Sequence, residues 1–394
     1  MFDAIVVGAR CAGAPTAMLL ARAGYRVLLL DKAPSGTDTL STHLIHQPGV
    51  AALARWGLLD AVRASGCPPL DHAVYEVADI RLEGCARGVE GQRAGFAPRR
   101  HILDAILVRE AVAAGVEVRD RCRVTGLLRN DSGRVVGVEG SHGGQSFTER
   151  AHLVIGADGM RSTVARLVQA PYTVEDPRLT CAYYTYWQDV PATLELYERP
   201  GSWVAAVATH EDATLVLAYF PQSRFEEVRA DAHHAYREQI RTTAPDLYEQ
   251  LEGKEPVERL RGTGDQRNFF RQAAGPGWVL VGDAGHHKDS ITARGISDTF
   301  LQVDALVRRL DGRLGGDPAE LDAALVEFAK ERDASLTPGY ESTLGVAQLT
   351  THEQRLSLLR AVQTDAELTA IYFDMVAGIE TAGALYTPKL LALL

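Results

Sequence analysis

The chain is poor in the residues that would point to an unusual chemistry or compartment. Its five cysteines, Cys11, Cys67, Cys85, Cys122 and Cys181, are odd in number and show no CxxC spacing. That argues against a secreted disulfide framework and against a cysteine-based zinc site, and no other metal-ligand set stands out. No basic tract is present: 41 Lys and Arg stand against 51 Asp and Glu, a formal charge of −10 that argues against nucleic acid as a partner. No apolar run reaches the length that spans a bilayer, and the first strand begins within a few residues of Met1. Neither a membrane span nor a leader is therefore expected, and a cytoplasmic location is. Internal repeats and low-complexity segments are absent too. What remains is a chain of 394 residues, 46% hydrophobic, too long for one compact core and long enough for two domains.

Against that plain background three segments rich in glycine and aspartate stand out: VVGARCAGA at 6–14, GADGMRSTVAR at 156–166 and GDAGHHKDSITARGIS at 282–297. The first opens a βαβ unit, with residues 4–7 reading as a buried parallel strand, 12–23 as a helix and 26–30 as the next strand. Gly8 permits the tight turn and Gly13 the close packing of helix on strand. Asp31, with Lys32 beside it, lies eighteen residues beyond Gly13, where an acid can meet a ribose hydroxyl. The amides near Cys11 and Ala12 face the place of a pyrophosphate at the positive end of the helix. Arg10 stands where the middle glycine usually does; its guanidinium can supply charge where close approach is lost, or it is a solvated loop arginine. The third segment repeats the grammar. Residues 278–281 form a short apolar strand, Gly282 and Asp283 sit at its end, and a helix continues over 296–310. An acid there can hold a sugar-alcohol hydroxyl, and the amides of Gly295 and Ile296 can face negative charge on a ring.

In this order and spacing the three segments resemble the FAD-dependent aromatic hydroxylases of the p-hydroxybenzoate hydroxylase type, the group A flavoprotein monooxygenases. The likeness runs over residues 1–311. It implies an α/β chain, a Rossmann-like, glutathione-reductase-like FAD-binding domain carrying an inserted antiparallel β-sheet substrate domain and a helical C-terminal segment. By position, it implies that Gly8, Gly13 and Asp31 hold the AMP moiety and that Arg100, in RHILDAIL, lies near the pyrophosphate. Val124 would flank the adenine, and Asp158 with Gly159 would serve both FAD and NAD(P)H. Asp283 would bind the ribityl chain, with Gly295 and Ile296 beside the isoalloxazine. Each has a plainer alternative: Asp158 and Asp283 as helix caps, Arg100 on a solvated face, Val124 as an ordinary strand residue. The family often has proline and then glycine-rich residues before the last turn. This chain has Asp289, Ser290, Ile291, Thr292, Ala293 and Arg294 instead.

Between the segments the periodicity changes to two. Residues 72–82, 179–190, 194–198, 203–210 and 213–220 read as strands, 223–243 as a helix and 256–261 as a returning strand. The FAD-binding domain is therefore expected to be discontinuous, over 1–71, 99–178 and 263–336, with a substrate domain at 72–98 and 179–262. A helical segment is expected at 337–394, with helices over 342–362 and 367–378, and the resemblance implies a monomer or homodimer. The aromatics Tyr183, Tyr184, Tyr186, Trp187, Tyr197, Trp203, Tyr219 and Phe220 either line a pocket for a flat apolar substrate or pack a core.

The resemblance implies the chemistry: FAD reduced by NAD(P)H reacts with O2 to give a C4a-hydroperoxyflavin, which hydroxylates or epoxidises an aromatic or polyketide-like small molecule. Few protein acids or bases are needed. Candidates that tune the site are His43 and His46 in STHLIHQP, and His286, His287 and Arg294 beside the third segment; each histidine can equally be structural. Three rivals are open. A flavin-dependent halogenase needs a lysine in the N-terminal half and a WxWxIP segment; here no lysine lies between Lys32 and Lys254, and YYTYWQDVP is not that motif. A reductase of the geranylgeranyl-reductase type shares the last turn. A flavoprotein that binds FAD and a ligand without turnover is the third.

Overall fold

The computed structural model describes residues 1–34 and 36–394. Phe2–Val7 is apolar on both faces, the pattern of a parallel strand covered on either side. It pairs in parallel with Val27–Leu30 on one flank and with Gln145–Gly156 on the other. Glu117–Arg119 and Trp278–Leu280 extend the sheet outward, so five parallel strands lie in the order Trp278–Leu280, Gln145–Gly156, Phe2–Val7, Val27–Leu30, Glu117–Arg119. Ala4 and Val6 point into a core shared with the helices Gly13–Arg22, Arg100–Ala113 and Gly295–Leu310. Ile5 and Val7 point the other way, under the hairpin Cys122–Arg129 and Val135–His142.

The second sheet has seven strands in the order Arg261–Thr263, Thr180–Gln188, Ala213–Pro221, Ser202–Ala208, Leu194–Arg199, Ala73–Val77, Ile80–Gly84. All pairs are antiparallel except Leu194–Arg199 with Ala73–Val77. Alternation divides its aromatics between two buried faces. Tyr183, Trp187 and Phe220 share a core with Tyr236, Ile240 and Leu247 of the helices Ala232–Thr243 and Pro245–Leu251. Tyr184, Tyr186, Trp203 and Tyr219 face the C-terminal helices, in one cluster with Leu359, Ile371 and Phe373.

Several segments differ from expectation for local reasons. Residues 72–82 form a hairpin rather than one strand, because Ala78 takes φ 52° in a two-residue turn between Val77 and Ile80. The helix expected over 223–243 is broken at Asp231, whose side chain accepts the His234 amide and starts Ala232–Thr243 afresh. Residues 256–260 are not a strand; one backbone bond, from Val257 N to the Tyr186 carbonyl at 2.9 Å, precedes the regular pairing of Arg261–Thr263. The helix Pro318–Ala347 is thirty residues long and runs through position 337 without a break in the chain's helical course. Among the described residues no helix is long and apolar enough to cross a membrane.

Candidate cofactor groove

A groove of about 450 Å³ crosses the carboxyl ends of the parallel strands, where open α/β sheets bind ligands. The loop after Phe2–Val7 brings Gly8, Arg10, Cys11 and Ala12 to it, and the end of Val27–Leu30 brings Asp31 and Lys32. Arg100 and Val124 line the same groove, as do Asp158 and Gly159 after Gln145–Gly156. Beyond Trp278–Leu280, at the opposite flank of the sheet, come Asp283, His286, His287, Gly295 and Ile296. Gly13 and Gly282 lie just behind the wall: a side chain on Gly13 would overlap the Gly8 carbonyl, and one on Gly282 would come within 2.9 Å of the Ala12 methyl.

Two helix N-termini open into the groove uncapped. Ala12 and Arg294 occupy the cap positions of Gly13–Arg22 and Gly295–Leu310, and neither side chain accepts a hydrogen bond from its helix. First-turn amides lack intrahelical acceptors and carry the positive end of the helix dipole, so each end favours negative charge. A Cβ at Gly295 would meet nothing within 4 Å, which leaves open space beside the second of them.

The charged side chains divide by what already holds them. Arg100 Nη2 lies 3.1 Å from both carboxylate oxygens of Asp104, one turn along its helix, and Arg10 Nε lies 4.0 Å from the same carboxylate. Asp104 is buried and its carboxyl is pushed up by burial, against the pull of Arg100. Two guanidiniums on one carboxylate leave surplus positive charge on this wall, as a pyrophosphate requires. The i, i+4 spacing of Arg100 and Asp104 was a readable signal for the pair. Asp31 accepts the amides of Ala9 and Ala33, each at 2.7 Å, and so ties the first loop to the end of the second strand. Asp158 acts as a helix cap: it accepts the Ser162 hydroxyl at 2.5 Å and the Thr163 amide at 2.6 Å, and burial raises its carboxyl. The Asp283 carboxylate, by contrast, makes no hydrogen bond among the described residues and acts on Arg100 through charge alone.

Three candidates lie off the groove. His43 adopts φ 61° and turns away from the lining residues Thr39, Leu40, Ser41 and Thr42 to place Nε2 2.5 Å from Tyr186 Oη on the second sheet. Burial, reinforced by Arg100 and Arg99, holds its pKa well below the ordinary value, and the imidazole is neutral. His46 Nε2 lies 3.2 Å from the Thr292 carbonyl; burial and then Arg294 lower it to about 4. Arg294 points into the C-terminal helices, with Nη2 3.6 Å from Asp298. His286 lines the groove but is neutral, lowered by burial and by Lys288, and its ring packs 4.4 Å from that of Phe270. His287 lines the groove with Nδ1 on the Arg267 carbonyl.

Sequence reasoning missed a polar wall beside these residues. Lys288 pairs with Asp298, both buried. Asp289 accepts the Thr180 hydroxyl, and Ser290 donates through both N and Oγ to Gln266 Oε1, so Tyr219 Oη, 3.0 Å away, donates to Ser290. The pairs are ten or more residues apart in the chain and leave no periodic trace.

Surplus cationic charge, two bare helix ends, one after the central strand Phe2–Val7 and one beyond Trp278–Leu280, and a carboxylate without a hydrogen bond fit a phosphate-bridged dinucleotide with a hydroxylated chain. That defines a dinucleotide-binding flavoprotein. Residues 1–324 match the FAD binding domain family, and the chain belongs to it: this is an FAD-dependent oxidoreductase. It is similar to 6-methylpretetramide 4-monooxygenase of Streptomyces rimosus, 26% identical over 304 residues, 75% of this chain and 72% of that one. It is also similar to digeranylgeranylglycerophospholipid reductase of Methanocella arvoryzae, 29% identical over 307 residues, 75% of this chain and 74% of that one. In fold it matches the flavin-dependent brominase Bmp2 with a TM-score of 0.81 at 15% identity, over 99% of this chain and 96% of that one.

Proposed function

We propose that the chain is a monooxygenase that uses NAD(P)H and O2 to hydroxylate or epoxidise an aromatic or polyketide-like small molecule. When bound, FAD supplies the two-electron chemistry with nicotinamide and O2. The chain's part is placement. Asp31 and the amides after Gly8 receive the adenosine and pyrophosphate, aided by Arg100 and Arg10, while Asp283 takes a ribityl hydroxyl. The bare amides of Gly295 and Ile296 stand against negative charge on the ring.

The observation that carries this reading is the junction of groove and second sheet. Ser290, on the groove wall, is bonded to Tyr219, which stands beside Tyr184 on the aromatic face of that sheet. A flat ligand reaching the ring from this side would meet aromatic surface, with the Arg99 guanidinium 4.0 Å from the Tyr186 ring beside it. Neutral His43, bonded to Tyr186, is a proton-handling pair that directly follows the loop 39–42 in the chain. The relative acting on 6-methylpretetramide supports a polycyclic substrate. A second reading rests on the reductase relatives: saturation of an isoprenoid double bond without O2. The two separate in one experiment. With NADPH and a panel of aromatic polyketides, the monooxygenase consumes O2 in step with substrate and incorporates label from 18O2. Unlabelled, hydrogenated product from an isoprenoid under anaerobic conditions would establish the reductase instead.

A further inference from the structure

The loop 290–298 has two sides. Ser290, Ala293, Gly295 and Ile296 line the groove. Ile291, Thr292 and Arg294 face the C-terminal helices instead. Ile291 shares an apolar cluster with Ala347, Ile371 and Ala377. Thr292 Oγ1 lies 2.8 Å from Thr343 Oγ1, whose own proton is donated to the Gly339 carbonyl, so Thr292 is the donor of the pair.

Arg294 is held most closely. Its guanidinium fills a notch between Gly339, within the helix Pro318–Ala347, and Gly378, which ends Ala366–Ala377 at φ 77°. A Cβ on Gly339 would stand 3.2 Å from Arg294 Cζ, and one on Gly378 would overlap the guanidinium. Pro338 precedes Gly339 and removes a helical hydrogen bond at that very turn. The loop needs such support: Ala293 takes φ 52°, a left-handed conformation that costs alanine about 1 kcal/mol.

We infer that Arg294 is a positioning residue through which the C-terminal helices hold the cofactor loop in its binding shape. By linkage, FAD in the groove then holds those helices in return. This rests on the placement of FAD at Gly295 and Ile296 proposed above. Neither glycine touches the groove, so an effect of either on FAD is transmitted, not direct.

The test is FAD titration, read by fluorescence quenching, of holoprotein stripped of its flavin, for wild type, Arg294→Ala, Gly378→Ala and the double variant. We expect each single variant to bind FAD about tenfold more weakly. The double variant should be no weaker than the weaker single, because both break one contact. Gly339→Ala, favourable to its helix, presses on the same guanidinium and should weaken FAD in the same direction even if Gly378→Ala fails to fold. Amide exchange in 366–377 should slow on adding FAD to wild type and not to Arg294→Ala. An Arg294→Ala protein that binds FAD within twofold of wild type overturns the coupling, as do single effects that multiply in the double variant. A wild-type protein that fails to rebind FAD removes the cofactor placement itself, a separate result.

Discussion

Asp289 shows how burial and hydrogen bonding compete at one carboxyl. It accepts the Thr180 hydroxyl at 2.7 Å and the Ile291 amide at 3.1 Å, both of which favour the ionised form. Burial opposes them and prevails, lifting the group from 3.8 to about 6. The folded state therefore binds the proton more tightly than the unfolded chain does. Its contribution to stability is fully present below the unfolded value of 3.8 and is lost as pH rises through about 6. A shift of this size corresponds to about 3 kcal/mol. Asp289→Asn cannot titrate, so the stability of wild type relative to the variant should fall by about that amount between about pH 4 and pH 7. Urea unfolding at a series of pH values measures the difference; a gap independent of pH would refute the assignment. The same competition separates the two acids that follow parallel strands, since Asp158 is spent on capping its helix and Asp283 is not.

At the level of elements, the βα units were readable and the second sheet's ends were not. Buried parallel strands leave unbroken apolar runs, and Gly8 and Gly13 mark the turn between them, so the first unit lies where its residues place it. Close packing makes Gly13 intolerant of change: the Gly8 carbonyl occupies the space of any Cβ. Gly13→Ala should cost about 1–3 kcal/mol by overpacking, and it should weaken FAD binding because the helix end must shift. Thermal unfolding and flavin retention test the two effects, and wild-type values in both would contradict the packing argument. The hairpin at Ala78 escaped notice because alanine gives no signal for positive φ, whereas the break at Asp231 carried the readable sign of a capping acid. In the site, motif residues were legible because glycines and aspartates at strand ends form short contiguous patterns in the sequence. Lys288, Gln266 and Thr180 were not, because their roles depend on contacts that only the fold creates, whereas Asp104 left its i, i+4 spacing to Arg100 as a sign.

Across the whole molecule, the C-terminal helices are joined to the second sheet by a buried polar cluster far along the chain from the groove. Glu198, on Leu194–Arg199, receives Arg355 Nη1 at 2.6 Å and Tyr75 Oη at 2.6 Å, while Arg355 Nη2 lies 2.6 Å from Tyr75 Oη. Tyr75 is itself packed between Trp203 and Tyr372. Glu198 is 3% exposed, so its charge depends on Arg355 for compensation. Arg355→Met should therefore cost about 3 kcal/mol, chiefly by stranding a buried carboxylate. Replacing both partners, as in Glu198→Gln with Arg355→Met, removes the stranded charge and should restore part of the loss, a non-additivity that chemical denaturation resolves. Additive losses would mean that the pair acts independently and that apolar packing alone seats the helices. Non-additive losses, accompanied by faster proteolysis of 353–394 in Arg355→Met, would identify the cluster as the outer anchor of a segment whose inner anchor is Arg294.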